Sequence, residues 1–170
     1  MEYTELIQAR YSCKKYDGRP VEQEKLDAIL EAGRVAPTAK NGQVQRIYVI
    51  RSAEGLAKID SVTPCRYGAP VVLAVAYDKK EQFTYPGGAF NSGAEDVTIV
   101  ATHMMLGAKN VGVESCWLNN FDPTKAAEVL GLPEDQVLVM LLDLGYPAEG
   151  GHPLPNHGKR KPLSETVKYL

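Results

Sequence analysis

Cysteine is scarce in this chain: three residues among 170, Cys13, Cys65 and Cys116. The count is odd, the spacings are wide and no CxxC pair occurs, so a disulfide framework is excluded as the organising principle. This usage points to a reducing, cytoplasmic compartment. Charge of one sign is also lacking. The net charge is −2, which leaves no general positive field for a nucleic-acid backbone. Long apolar runs are missing. The longest, from Ala69 to Ala76, is far short of the ~20 residues that cross a bilayer, and the first ten residues hold no signal-peptide core. No GxGxxG, GxxxxGK[ST], HExxH or GxSxG occurs, and the three histidines form no cluster with cysteine. The common dinucleotide and P-loop fingerprints, a metal site and a serine hydrolase therefore have no support.

What is present is an ordinary globular composition. Apolar residues make up 44% and charged residues 24%, enough buried surface to exclude disorder across the chain. The length fits one domain over residues 1–170. Thr4 stands where it would cap a first helix. Residues 22–35 carry Leu26, Ile29, Leu30 and Gly33 at helical spacing, with Pro37 as the stop. Residues 45–51 read as a strand and 53–59 as a short helix. The run 69–78 has the length and content of a strand buried on both faces. Ser92 to Glu95 matches a capping box and opens the longest helix, 93–110, whose apolar residues leave little polar face. Strands follow at 113–120 and 136–144, separated by a helix that Asp122 caps and Pro123 opens, ending near Gly131. From about residue 148 periodicity stops. Four prolines and four glycines punctuate residues 145–162, while Leu163, Val167, Tyr169 and Leu170 provide apolar anchors. The expectation is a C-terminal arm, 148–170, that packs against something.

Four clusters carry chemistry. In Arg10-Tyr11-Ser12-Cys13-Lys14, alternate residues of an extended chain would put two cations and a hydroxyl on one face, suited to an anion; a solvated basic turn has the same composition. Lys14 and Lys15 flank Cys13 and would lower its pKa if the thiol were exposed. Pro37-Thr38-Ala39-Lys40-Asn41-Gly42-Gln43 offers amides that match a heterocycle edge, or an ordinary turn. Trp117-Leu118-Asn119 closes a buried strand where ligands often bind, or serves only to reach the Asp122 cap. His157-Gly158-Lys159-Arg160 is a basic segment in the arm.

Taken in order, these segments resemble the flavin-dependent nitroreductases, in particular their short members. The matching stretches are RYSCKKY, PTAKNGQ, the long helix EDVTIVATHMMLGAKNVG, ESCWLNNF, Leu-Gly-Tyr-Pro at 144–147 and Arg-Lys-Pro-Leu at 160–163, and together they span almost the whole chain. The resemblance implies an α+β fold with a central, mostly antiparallel sheet flanked by helices, and a homodimer in which the C-terminal arms are exchanged. It implies FMN at the dimer interface. Arg10, Tyr11, Ser12, Lys159 and Arg160 would serve the phosphate end, with Lys14 reaching towards the ribityl chain and pyrimidine. Pro37, Thr38, Ala39, Asn41 and Gln43 would line the flavin, partly from the partner. Trp117, Leu118 and Asn119 would lie along the ring.

The implied activity is hydride transfer from NADPH or NADH through the flavin to a nitroaromatic, a quinone or a similar small acceptor. Lys14 would steady the reduced flavin and no protein nucleophile would be needed. A non-catalytic FMN-binding or storage protein would use the same contacts. No nucleic acid, membrane or metal enters either reading. Two departures from the family pattern stand out: Gln43-Val44-Gln45 where many relatives have Gln-Pro-Trp, and Lys rather than Arg at position 14.

Overall fold

The structure is a computed structural model that describes all 170 residues. Four strands form one sheet in the order β1-β2-β4-β3: β1 (Gln45–Ile50), β2 (Val71–Asp78), β3 (Glu114–Leu118) and β4 (Gln136–Gly145), every neighbouring pair antiparallel. The helices are α1 (Tyr3–Ala9), α2 (Gln23–Arg34), α3 (Ala53–Val62), α4 (Gly93–Asn110), α5 (Pro123–Leu130) and α6 (Leu163–Thr166).

The sheet separates two apolar layers. Leu73, Val75, Met140, Leu142 and Leu144 face α2 and α4, meeting Leu26, Ile29, Val97, Val100 and Met104. Val72, Ala74, Leu138 and Leu141 face the opposite way, against Ile59 of α3 and Ala126 of α5. Central β2 and β4 are therefore covered on both sides, which explains why the sequence of β2 is continuously apolar rather than alternating. Glycines let α2 and α4 approach closely: a Cβ on Gly107 would lie 2.8 Å from Ala32 Cβ, and one on Gly33 would lie 2.7 Å from Met104 Cγ.

Local signals hold where neighbours leave them alone. The Asp122 carboxylate accepts from the N–H groups of Thr124 and Lys125 at 3.0 and 3.2 Å, and Gly131 takes the left-handed conformation (φ 73°) that ends α5. Three expectations are corrected. Thr4 caps nothing: α1 begins at Tyr3, and no side chain caps it. The Ser92–Glu95 box does not form. Ser92 is already helical (φ −83°, ψ −6°) and makes no capping bond, while Asn91 Oδ1 accepts from the Gly93 N–H at 3.1 Å. Nor is α4 buried all round. Ile99, Thr102, His103 and Leu106 are half-buried on its outer side.

Hydrogen bonds tie the arm to the body at its root. Tyr16 bridges Pro147, the Ala148 N–H donates to the Lys15 carbonyl at 3.0 Å, and Lys15 Nζ donates to the Glu149 carbonyl at 2.9 Å. Beyond that, Leu163, Tyr169 and Leu170 stay exposed. Within one chain the expected packing of these anchors is absent.

Candidate functional site

After α1 the chain runs extended beside the free edge of the sheet. Ser12 forms a parallel bridge with Ser115 of β3, and the Cys13 N–H donates to the Ser115 carbonyl at 2.9 Å. The strand-like alternation follows from this. Tyr11 and Cys13 are buried, Arg10 and Ser12 half-buried, and Lys14 exposed on the other face. Burial pushes the Cys13 thiol up, while Lys14 is exposed on the other face and the Lys15 ammonium donates to the Glu149 carbonyl. The reactive-thiol expectation for Cys13 is thereby overturned: a buried thiolate has no water to stabilise it. Burial, aided by the Glu114 carboxylate, also raises the Tyr11 phenol to about 12.

Ser12 and Lys14 line a cleft of about 300 Å³ with Leu154, Asn156, His157 and Arg160 of the arm. Its polar lining is cationic or neutral; no carboxylate takes part. Neither Lys14 nor Arg160 is committed to an ion pair; the same holds for Arg10 and Lys159. Lys14 Nζ sits 5.8 Å from the centre of the Tyr67 ring. Arg160 Nη1 donates to the carbonyls of His157 and Lys159. His157 stands edge-on to Tyr11 at 6.4 Å between ring centres. Two unpaired cations, a hydroxyl and an amide around one concavity form a donor set for a phosphate-like anion. Asn156 and His157 complete it. Sequence reasoning placed His157 only in the basic segment and missed Asn156, because nothing local marks which arm residues fold back over position 12.

The other expected residues lie apart from this cleft. Arg10 and Lys159 flank it without lining it. Trp117 is half-buried, with its Nε1–H donating to Asn119 Oδ1 at 3.0 Å. The Leu118 side chain is turned into the core with Cys116 and Ala126, so only its backbone is free to face a ligand. Pro37, Thr38, Ala39, Asn41 and Gln43 form a tight turn between α2 and β1, and none of them lines the cleft. In that turn Lys40, Asn41 and Gln43 all have positive φ, between 50° and 56°, a conformation costly for residues with a side chain. Its bonds are mostly internal: Gln43 N–H to Thr38 Oγ1 at 3.0 Å and Asn41 N–H to the Thr38 carbonyl at 2.9 Å. In the 79–91 loop, Phe83, Tyr85 and Phe90 stack on one another with ring centres 5.7 and 6.5 Å apart, and Lys40 Nζ lies 4.5 Å from the Phe83 ring. A further cleft of about 370 Å³ between α2, α4 and β1 contains none of the expected residues.

The description of the family model that matches residues 7–63 and 64–146 is "Nitroreductase family". A putative NADH dehydrogenase/NAD(P)H nitroreductase of Methanothermobacter thermautotrophicus is 30% identical over 158 residues, covering 88% of this chain and 79% of that protein. A nitroreductase family protein of Clostridium difficile superposes with a TM-score of 0.92 at 38% identity, covering 99% of this chain and 98% of the other. A putative nitroreductase of Exiguobacterium sibiricum, solved in complex with FMN, shares the fold (TM-score 0.87, 22% identity, 100% and 98% covered).

Proposed function

The chain belongs to the nitroreductase family, and on that premise we propose that it is an FMN-dependent NAD(P)H oxidoreductase acting on a small acceptor such as a nitroaromatic or a quinone. The observation that carries this reading is the carboxylate-free cleft where Ser12 and Lys14 meet Asn156, His157 and Arg160. Its donors suit the one dianionic group of FMN. Lys14 and Arg160 would hold the phosphate, aided by Ser12 and Asn156, with Arg10 and Lys159 adding positive potential from the flanks. Bound FMN would supply the redox chemistry, hydride transfer between a nicotinamide and the acceptor.

The protein's own part is binding, orientation and electrostatics. With no carboxylate in the cleft, the potential around the bound cofactor would stay positive and favour negative charge on it once reduced. The 37–43 turn and the 117–119 strand end would frame the ring, with the turn supplied by a partner chain. That division accounts for their distance from the cleft within one chain. A homodimer is further supported by the unpartnered apolar residues Tyr3, Ile7, Leu163, Tyr169 and Leu170 and by the half-buried outer face of α4.

The test is a visible spectrum of the purified protein under anaerobic conditions. Flavin bands that bleach with NADPH or NADH and return with an acceptor support the oxidoreductase. Bands that never bleach support a flavin-storage protein instead. No uptake of supplied FMN would overturn both.

A further inference from the structure

Asp96, on the first turns of α4, is 2% exposed. It forms no ion pair, and its two carboxylate oxygens have separate tasks. Oδ1 accepts from the Ala39 backbone N–H at 2.7 Å, and Oδ2 accepts from the Ser92 hydroxyl at 2.7 Å. Ser92, 1% exposed, passes the connection on. Its Oγ accepts from the Phe83 N–H at 3.1 Å, and its own N–H donates to the Phe83 carbonyl at 2.9 Å. The buried carboxylate thus ties the strained 38–43 turn, distant in sequence, to the start of α4 and, through Ser92, to the aromatic 79–91 loop that leads into it. The N-terminal end of α4 favours the negative charge there.

A chain strained at Lys40, Asn41 and Gln43, three non-glycine residues within four positions, relaxes unless its surroundings over-determine it. Burial of Ala36 and Val44 anchors the two ends of this turn; between them, its side-chain links to other segments are the Asp96 bond and the Lys40–Phe83 contact, and both lead to the same loop. We propose that Asp96 is a positioning residue: through Ala39 it holds the 38–43 turn in its strained form, and through Ser92 it makes that turn and the 79–91 loop a single unit. This rests on the reading of the turn as a wall of the flavin site. The consequence is that cofactor affinity depends on a buried residue that acts only through the turn it holds. It also explains why Ser92 gives up the capping role its sequence implies, since its hydroxyl is needed by Asp96.

The experiment compares wild type, Asp96→Ala, Asp96→Asn and Ser92→Ala by amide hydrogen exchange on the FMN-free protein, with thermal midpoints and FMN titrations alongside. Loss of a charge-assisted bond should speed exchange at residues 39–43 and 83–85 in Asp96→Ala roughly 10- to 100-fold, with the β2 and β4 amides unchanged. FMN affinity should fall about tenfold. Asp96→Asn, which keeps an acceptor for Ala39 and can donate to Ser92, should restore protection and affinity together. Ser92→Ala should loosen 83–85 more than 39–43. Unchanged exchange in both segments, faster exchange throughout the sheet, or no rescue by Asn overturns the proposal. Wild-type protein that takes up no FMN overturns the flavin reading instead, and the exchange data on the FMN-free chain still decide the clamp.

Discussion

Ser12 lies beside Ser115 as an added parallel bridge on the edge of β3, tied by the Cys13 N–H to the Ser115 carbonyl at 2.9 Å. The bridge covers an otherwise open sheet edge. It also holds Lys14 rigidly at the cleft to which the arm brings Arg160.

Lys14→Ala and Arg160→Ala should therefore each weaken FMN binding. Each removes a charge-assisted contact to a phosphate, worth about 1.5–3 kcal/mol, which is roughly ten- to a hundredfold in Kd. Flavin fluorescence titration at low and high salt is the measurement. A Kd that neither variant changes would remove the phosphate from this cleft.

Deleting residues 163–170 should leave the fold intact and abolish the dimer. None of those residues is buried within one chain, so no intramolecular core is lost, whereas Leu163, Tyr169 and Leu170 need cover. Light scattering with far-UV circular dichroism tests both halves. A truncated chain that still elutes as a dimer refutes the arm-exchange model.

Stability should fall as pH rises across the neutral range. Asp143 on β4 is fully buried, with neither carboxylate oxygen hydrogen-bonded. Burial pushes its pKa to about 9 against the attraction of Arg66, from an ordinary value of 3.8. Between those values the folded state keeps a proton that the unfolded chain releases. The unfolded state binds fewer protons, so stability drops with pH by up to about 1.4 kcal/mol per unit. It is fully present below pH ~4. Asp143→Asn should flatten that slope and raise the thermal midpoint at pH 8. Identical pH profiles for the two proteins would exclude a buried neutral acid here.

One thiol should label quickly in the native protein. Cys65 is half-buried, and its Sγ accepts from Asn120 Nδ2 at 3.3 Å, a bond that lowers its pKa. Burial pushes Cys13 up and Cys116 up to about 12. A disulfide-exchange reagent at pH 7.5 should report one fast thiol when folded and three after denaturation. Asn120→Ala should slow the fast one. A second fast thiol would contradict the burial of Cys13 and Cys116.

Much of the fold was legible in the chain because its signals are local. Asp122-Pro123 needs only its own backbone to start α5, and the β2 run identifies itself by apolar content. The unreadable parts were set by competition. Ser92 looks like a cap, but buried Asp96 claims its hydroxyl. Lys14 and Lys15 look like activators of Cys13, but Lys14 alternates to the opposite face, the Lys15 ammonium binds the Glu149 carbonyl, and the thiol itself is buried. The arm's apolar residues suggest packing, but the chain offers them no surface of its own. The resemblance places Leu118 along the flavin ring, and β3 pleating, which directs its side chain into the core, leaves its backbone for that role.

The sequence by itself determined the elements and their approximate limits through periodicity and local composition, and its ordered motifs carried the resemblance that implied the antiparallel α+β class and the family. It also marked Arg10, Ser12, Lys14, Lys159 and Arg160 as cations and a hydroxyl without local acidic partners. Only the tertiary structure decided which of them meet. The Ser12–Ser115 bridge and the return of the arm bring Ser12, Lys14 and Arg160 to one cleft with Asn156 and His157, while Asp96 holds a strained turn elsewhere. Pairings between residues so far apart in sequence depend on sheet register and on buried hydrogen bonds, which no local pattern encodes.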